Sequence, residues 1–157
     1  MEYEVRLETS SGSPLAVVRR RAKVQELSKV IPECCGIVWN AVKALGIKGG
    51  RHVSVYLDGE INVEVGVEVD APFPGAGEVV GSNLPAGTVA TTTHFGPYGR
   101  LCDAHNAVRD WCANHSYSLT GPSWEIYGHW VDAWNNDPSQ IRTDIYYLVN
   151  APAKAHR

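Results

Sequence analysis

The chain of 157 residues is 44% apolar and 20% charged, with a net charge of −3 and a pI near 6.0. A domain of this length buries roughly 70% of the surface its unfolded chain exposes, so it needs no metal or disulfide to fold; the composition excludes disordered, collagen-like and coiled-coil classes. The balance of charge gives no basic field for nucleic acid apart from Arg19-Arg20-Arg21, read as solvated, and no stretch reaches the ~20 apolar residues of a membrane span.

The start, Met1 to Arg6, lacks the apolar core of a signal peptide. Val5 to Thr9 alternates as a strand, Ser10-Ser11-Gly12-Ser13-Pro14 punctuates, and Leu15 to Arg21 reads as a second strand. Ile31, Cys35, Val38, Val42 and Leu45 then recur at helical spacing, with Pro32 in a first turn and Gly46 as the stop. Two β-rich runs, His52 to Leu57 and Ile61 to Val69, flank Asp58-Gly59, a hairpin signal.

The Pro/Gly-rich passage from Asp70 to Gly77 leads into a second half of the same order. Glu78 to Leu84 and Gly87 to His94 read as strands, Leu101, His105, Val108 and Cys112 as one helix face, and Trp124 to Trp130 with Thr143 to Val149 as a closing strand pair. The expected architecture is α+β: two strand-helix-strand-strand units, about 1–70 and 78–150, with antiparallel sheets, one main helix per half and a ligand cleft between the halves. A single offset lays Trp39 on Trp111, Val17 on Val89 and Val53 on Glu125. Each helix covers one sheet face, which leaves the groove on the other.

The segment Gly121 to Trp130 carries the chemistry. In a strand, Glu125, Tyr127 and His129 share one face, while Trp124, Ile126 and Trp130 share the other, read as core. Two readings of Glu125 compete. It is a solvated outward residue of a half-exposed strand, or a buried carboxylate without a protein counter-charge, which awaits a cationic guest. Val53 at the matching place would give the pocket an aliphatic wall. Trp39 reads as core packing or as a ligand wall, Trp111 as core, and Trp134, in a polar loop, as a lid over the groove. One of Tyr146 and Tyr147 must face the groove.

Other chemistries find less support. Cys34, Cys35, Cys102 and Cys112 form no C-x-x-C pair, so free thiols and a reduced, cytoplasmic setting are expected. The two C-x-x-H pairs of the second helix do not converge on a metal. No nucleophile elbow, dinucleotide motif or P-loop is present, and no cofactor is expected.

At His94-Phe95-Gly96-Pro97-Tyr98, Leu101, Trp111, Gly121-Pro122 and Glu125-Ile126-Tyr127, the stretch from Pro85 to Val149 resembles the GyrI-like small-molecule-binding family, which includes effector-binding domains of multidrug-sensing transcription activators. The resemblance implies a duplicated SHS2-type fold, a cleft between halves, and a glutamate, here Glu125, that meets cationic or polar aromatic ligands among stacked aromatics. It implies no helix-turn-helix within this length, hence no direct contact with nucleic acid. Some stand-alone members resemble cyclopropanoid hydrolases, in which Glu125 would position water and Tyr127 would hydrogen-bond the substrate carbonyl.

The expectation is therefore a module that senses or sequesters a flat lipophilic cation, with Glu125, Tyr127, Trp39, Trp134 and Tyr147 as its surface. The alternative is a detoxifying hydrolase with Glu125 and Tyr127 as its catalytic pair. A third reading makes the cleft a seat for a partner peptide. The ligand and the oligomeric state are not encoded in any motif.

Overall fold

The computed structural model describes residues 3–58 and 62–150. Its strands are β1 (Arg6–Ser11), β2 (Pro14–Arg21), β3 (Gly49–Tyr56), β4 (Asn62–Val69), β5 (Val79–Asn83), β6 (Ala86–Phe95), β7 (Ser118–Tyr127) and β8 (Arg142–Asn150). The helices are α1 (Leu27–Ala44), α2 (Leu101–Asn114) and the short α3 (Ala133–Asn136). The expected Asp58-Gly59 turn falls partly on residues 59–61, outside the described residues; β3 and β4 pair in antiparallel fashion on either side of it.

All described strands belong to one antiparallel sheet of order β1-β6-β8-β7-β3-β4-β2-β5. The two halves thus share a continuous sheet, joined where β3 pairs with β7. Their edge strands are interchanged. β1 precedes β2 in the chain but pairs with β6, whereas β5 precedes β6 but pairs with β2. Neither half owns a complete sheet without the other.

The helices end alike, which corrects the expected internal alignment. Gly46 (φ +69) closes α1 and Ser116 (φ +62) closes α2, both in the left-handed region. The two chain ends make matching bonds: Ile47 N to Val42 O beside Tyr117 N to Cys112 O, each at 2.9–3.0 Å. On this superposition Trp39 matches Arg109, and Cys35 matches His105; Trp111 matches Ala41. α1 also begins earlier than expected, so Pro32 stands inside it rather than in its first turn. The carbonyl that Pro32 leaves without a helical donor belongs to Ser28, an exposed residue.

Both helices lie on the same sheet face. Cys34, Val38 and Val42 of α1 pack on Ala16, Val18, Val63, Val65 and Val67. Leu101, Ala104, Val108 and Cys112 of α2 pack on Ala90, Ile145, Tyr147 and Val149. The helix-free face is not the expected open groove. Leu15, Val17, Val53, Val55, Val89, Trp124 and Ile126, from strands at both ends and the middle of the sheet, meet there in one buried cluster. A twisted antiparallel sheet coils enough to gather side chains of β2, β3, β6 and β7 in one cluster on this face.

The closest backbone approach in this sheet is at Gly66, opposite Val17. A Cβ there would lie 1.8 Å from the Ala16 carbonyl oxygen. Gly66→Ala should therefore lower stability by about 3 kcal/mol or more. Gly36→Ala, on the exposed side of α1 with no atom within 4 Å of the new methyl, should raise it by roughly 0.5–1 kcal/mol. Urea unfolding midpoints check both signs.

Candidate functional site

Local sequence aims β7 at the centre of the molecule. Between Leu119 and Ser123 its pairing with β8 slips, where Gly121 takes φ +119 and Pro122 withdraws a donor from the ladder. Beyond the bulge Ser123, Glu125 and Tyr127 face the helices, and Trp124 and Ile126 face the closed cluster. The expected alternation holds to Tyr127 and stops there. His129 and Trp130 lie past the end of the strand, and Trp130 is 50% exposed.

Glu125 is 5% exposed, which rules out the solvated reading. It lies on the helix-covered face rather than on the helix-free one. Its partner across the β3–β7 joint is Ser54, not Val53, which points into the opposite cluster. Side chains directly opposite in an antiparallel pair share a face, so a one-residue shift in the internal alignment moves the aliphatic wall to the wrong side.

Burial of a lone carboxylate costs several kcal/mol, and here it is offset by donors on both oxygens. Tyr56 OH (3.0 Å) and Tyr127 OH (2.5 Å) donate to Oε1, while His105 Nε2 lies 2.6 Å from Oε2. The Tyr127 proton is committed to the carboxylate, so Ser54 Oγ, 2.9 Å away, donates to the phenol oxygen. The line continues outward. Arg109 NH1 donates to Tyr147 OH (2.9 Å), and that hydroxyl lies 2.7 Å from His105 Nδ1. A single proton assignment satisfies every group, in which Tyr147 donates to Nδ1 and the Nε2–H donates to Glu125. The expectation of a carboxylate with no protein partner is thereby corrected: an imidazole of its own chain holds it.

Burial, then the Glu125 carboxylate, pushes the Tyr56 and Tyr127 phenols far above their ordinary value. Burial also raises Tyr147, against the pull of Arg109. Across the site Cys35 occupies on α1 the place of His105 on α2, and burial pushes its thiol up to about 11. It is a protonated, weakly nucleophilic wall at neutral pH.

Tyr147 faces the site, whereas Tyr146 stacks on Trp124 (5.5 Å, 12°) in the opposite cluster. Trp39 lies over Gly49 and against His52, with ring centroids 5.7 Å apart. His52 shares the helix-facing side of β3 with Ser54 and Tyr56, so Trp39 flanks the site without touching Glu125's ring of donors. Trp134 is not a free lid. It is 9% exposed in α3, set edge-on to Trp130 (5.3 Å) and close over Gly128.

The motif His94 to Tyr98 now has a physical role. His94, 2% exposed, is held between Tyr3 OH (2.9 Å) and the Pro97 carbonyl (3.1 Å). Gly96 turns the chain at φ +141, and Tyr98 lands edge-on to Tyr127 at 5.7 Å. Sequence reasoning missed Tyr56, His105, Arg109, Ser54 and Tyr98 as site residues. The signals were a tyrosine two places from Ser54 in a strand, and a histidine in an apolar helical stripe. Among the described residues no cluster of three metal-ligating side chains occurs, no helix is long and apolar enough to cross a membrane, and the four cysteines are free.

One antiparallel sheet of eight strands with two helices on one face, matched by a family model over nearly its whole length, makes this a small-molecule-binding domain. The chain belongs to the family of the GyrI-like small molecule binding domain, whose model matches residues 3–149. Among solved structures it is similar to the EcmrR C-terminal domain (25% identity, TM-score 0.80, 96% of this chain and 99% of that one). In the EcmrR–DNA complex it matches 58% of the longer EcmrR chain. The fold is shared by SAV2435 bound to tetraphenylphosphonium (12% identity, TM-score 0.69, 96% and 94% covered). It is shared as well by a hydrolase encoded by lin2189 from Listeria innocua (11% identity, TM-score 0.60, 94% and 92% covered). A sequence search among curated proteins returns no match.

The buried phenols give a test with a definite sign. A tyrosine whose folded pKa lies above the unfolded 10.0 contributes stability that is complete below pH 10 and is lost as pH rises beyond it, because only the unfolded chain then releases the proton. Unfolding midpoints should fall steeply above pH 10, and Tyr56→Phe/Tyr127→Phe should flatten that slope. Urea titrations between pH 8 and 11.5 measure it.

Proposed function

We propose that the chain, as one GyrI-like domain built of halves 1–70 and 78–150, binds a flat, lipophilic, cationic organic molecule at Glu125, for sensing or sequestration. The observation that carries this is a carboxylate 5% exposed, held by the Tyr56 and Tyr127 hydroxyls and the His105 imidazole, with Tyr147 beside them. The fixed cation of the network, Arg109, reaches Tyr147 and not Glu125. A cation that arrives beside Glu125 gains an ion pair in a medium of low dielectric and aromatic faces worth ~0.5–2 kcal/mol each. Trp39 and Tyr98 extend the aromatic wall, and Trp134 supports the loop behind it. SAV2435, a protein of the same fold, is bound to tetraphenylphosphonium, which shares the charge and the aromatic, lipophilic character of the class proposed but is not flat.

Glu125→Gln keeps the shape and removes the charge. It should weaken rhodamine 6G by ~1–3 kcal/mol while a neutral xanthene of similar size is held as before. Fluorescence anisotropy titrations of both dyes decide it, and equal losses would refute the charge role.

A second reading rests on the 2.5 Å contact between Tyr127 OH and Glu125. In a hydrolase of cyclopropanoid or similar electrophilic natural products, Glu125 takes a proton from water as the oxygen bonds to the ring carbon. The ring C–C bond breaks, its electrons pass to the carbonyl oxygen, to which Tyr127 turns its hydrogen bond from Glu125, and the proton taken by Glu125 returns to the opened product. Incubation with a cyclopropane alkylator should yield a product heavier by one water, read by mass spectrometry, and Glu125→Gln should abolish it. Turnover no faster than in buffer would exclude this activity.

A further inference from the structure

We propose that the His105 imidazole occupies the ligand's own place, so that the natural guest is a planar N–H-bearing heteroaromatic or amidinium cation that displaces it from Glu125. This rests on the reading of Glu125 as the ligand carboxylate.

The two oxygens of Glu125 are held differently. Oε1 takes its protons from Tyr56 and Tyr127, on strands locked in the sheet ladder. Oε2 takes its donor from a helix side chain that is itself 13% exposed. Depressions of about 290 and 450 Å³ lie elsewhere, one beside Arg19 to Arg21 and one beside Tyr3 and His94, and neither reaches Glu125. Of the side chains that hold Glu125, His105 is the one carried on a helix, so it stands on the helix side of the carboxylate.

What the imidazole finds there describes what would replace it. Its ring stands edge-on to Tyr56 (6.4 Å, 74°) and to Tyr147 (5.6 Å, 76°), so two phenol rings flank a flat heterocycle. One ring nitrogen meets a carboxylate oxygen and the other a hydroxyl. A cationic guest with two N–H groups donates one to Glu125 Oε2 and the other to the Tyr147 hydroxyl, which then turns its own proton away, and it adds a charge. A quaternary cation without N–H leaves Oε2 without a donor, at the cost of an unsatisfied buried oxygen. On α1 the matching place holds Cys35, a small thiol that offers no such surrogate.

The experiment removes the occupant and returns it as a free ligand. At pH 6, His105→Ala should bind imidazole at least tenfold more tightly than the unaltered protein does. It should also prefer imidazole at least tenfold over 1,3-dimethylimidazolium, which has the ring and charge but no N–H. Calorimetric titration reads both, and His105→Ala/Glu125→Gln should lose the gain. A folded His105→Ala protein that binds imidazole no better than the unaltered one, or binds both ligands equally, overturns the proposal. Should that variant not fold, the intact protein still decides: saturation with benzamidine should shift the His105 ring ¹⁵N signals, and unchanged signals overturn it. If rhodamine 6G binding proves indifferent to Glu125→Gln, the functional reading fails; if that reading holds while the His105 signals stay fixed, only this one does.

Discussion

A carboxylate withdrawn from water must find hydrogen-bond donors, and the architecture around Glu125 answers that requirement from three elements at once. β3 brings Tyr56, β7 brings Tyr127, and α2 brings His105. Apolar clusters flank the network under both helices, so it stands in a low-dielectric interior, where each hydrogen bond is stronger and each missing one more costly. That cost makes the geometry informative. The protein keeps a charge-bearing group where an aliphatic residue would pack more cheaply, and it surrounds that group with phenols rather than with arginine or lysine.

Duplication of the fold built this place, and departure from symmetry gave it chemistry. Near the joint the two halves are close to equivalent, with Tyr56 and Tyr127 flanking the pair Ser54–Glu125. Symmetry breaks in the centre, where one half gives a hydroxyl and the other a carboxylate, and above it, where Cys35 matches His105. A symmetric pocket would hold two carboxylates or none. The place around Glu125 has a single carboxylate, an imidazole on α2 and, at the matching position of α1, a thiol that burial keeps protonated.

The interchange of β1 and β5 bears on how such a centre stays closed. Because each half completes the other's sheet, separating them would break the β3–β7 joint and both edge ladders together. The curled helix-free face adds a second apolar cluster beneath the joint. Access from that side would mean opening a packed core. On the helix side the group that meets Glu125 is the His105 side chain, itself 13% exposed.

The α+β class, the order of elements, the stop of α1 at Gly46 and the shared strand face of Glu125 and Tyr127 were all readable in the chain, because period, turn chemistry and strand alternation are local properties. Which face the helices would cover was not local, and there the sequence pattern misled. A strand with Trp124 and Ile126 on one side and Glu125 and Tyr127 on the other states that its faces differ, but not which one meets a helix when both are buried. The meeting of Tyr56 with Glu125, sixty-nine residues apart, and of His105 with the same carboxylate depends on the β3–β7 pairing and the seat of α2. Only the folded chain sets those distances, because they are fixed by register and helix packing, which no window of neighbouring residues contains.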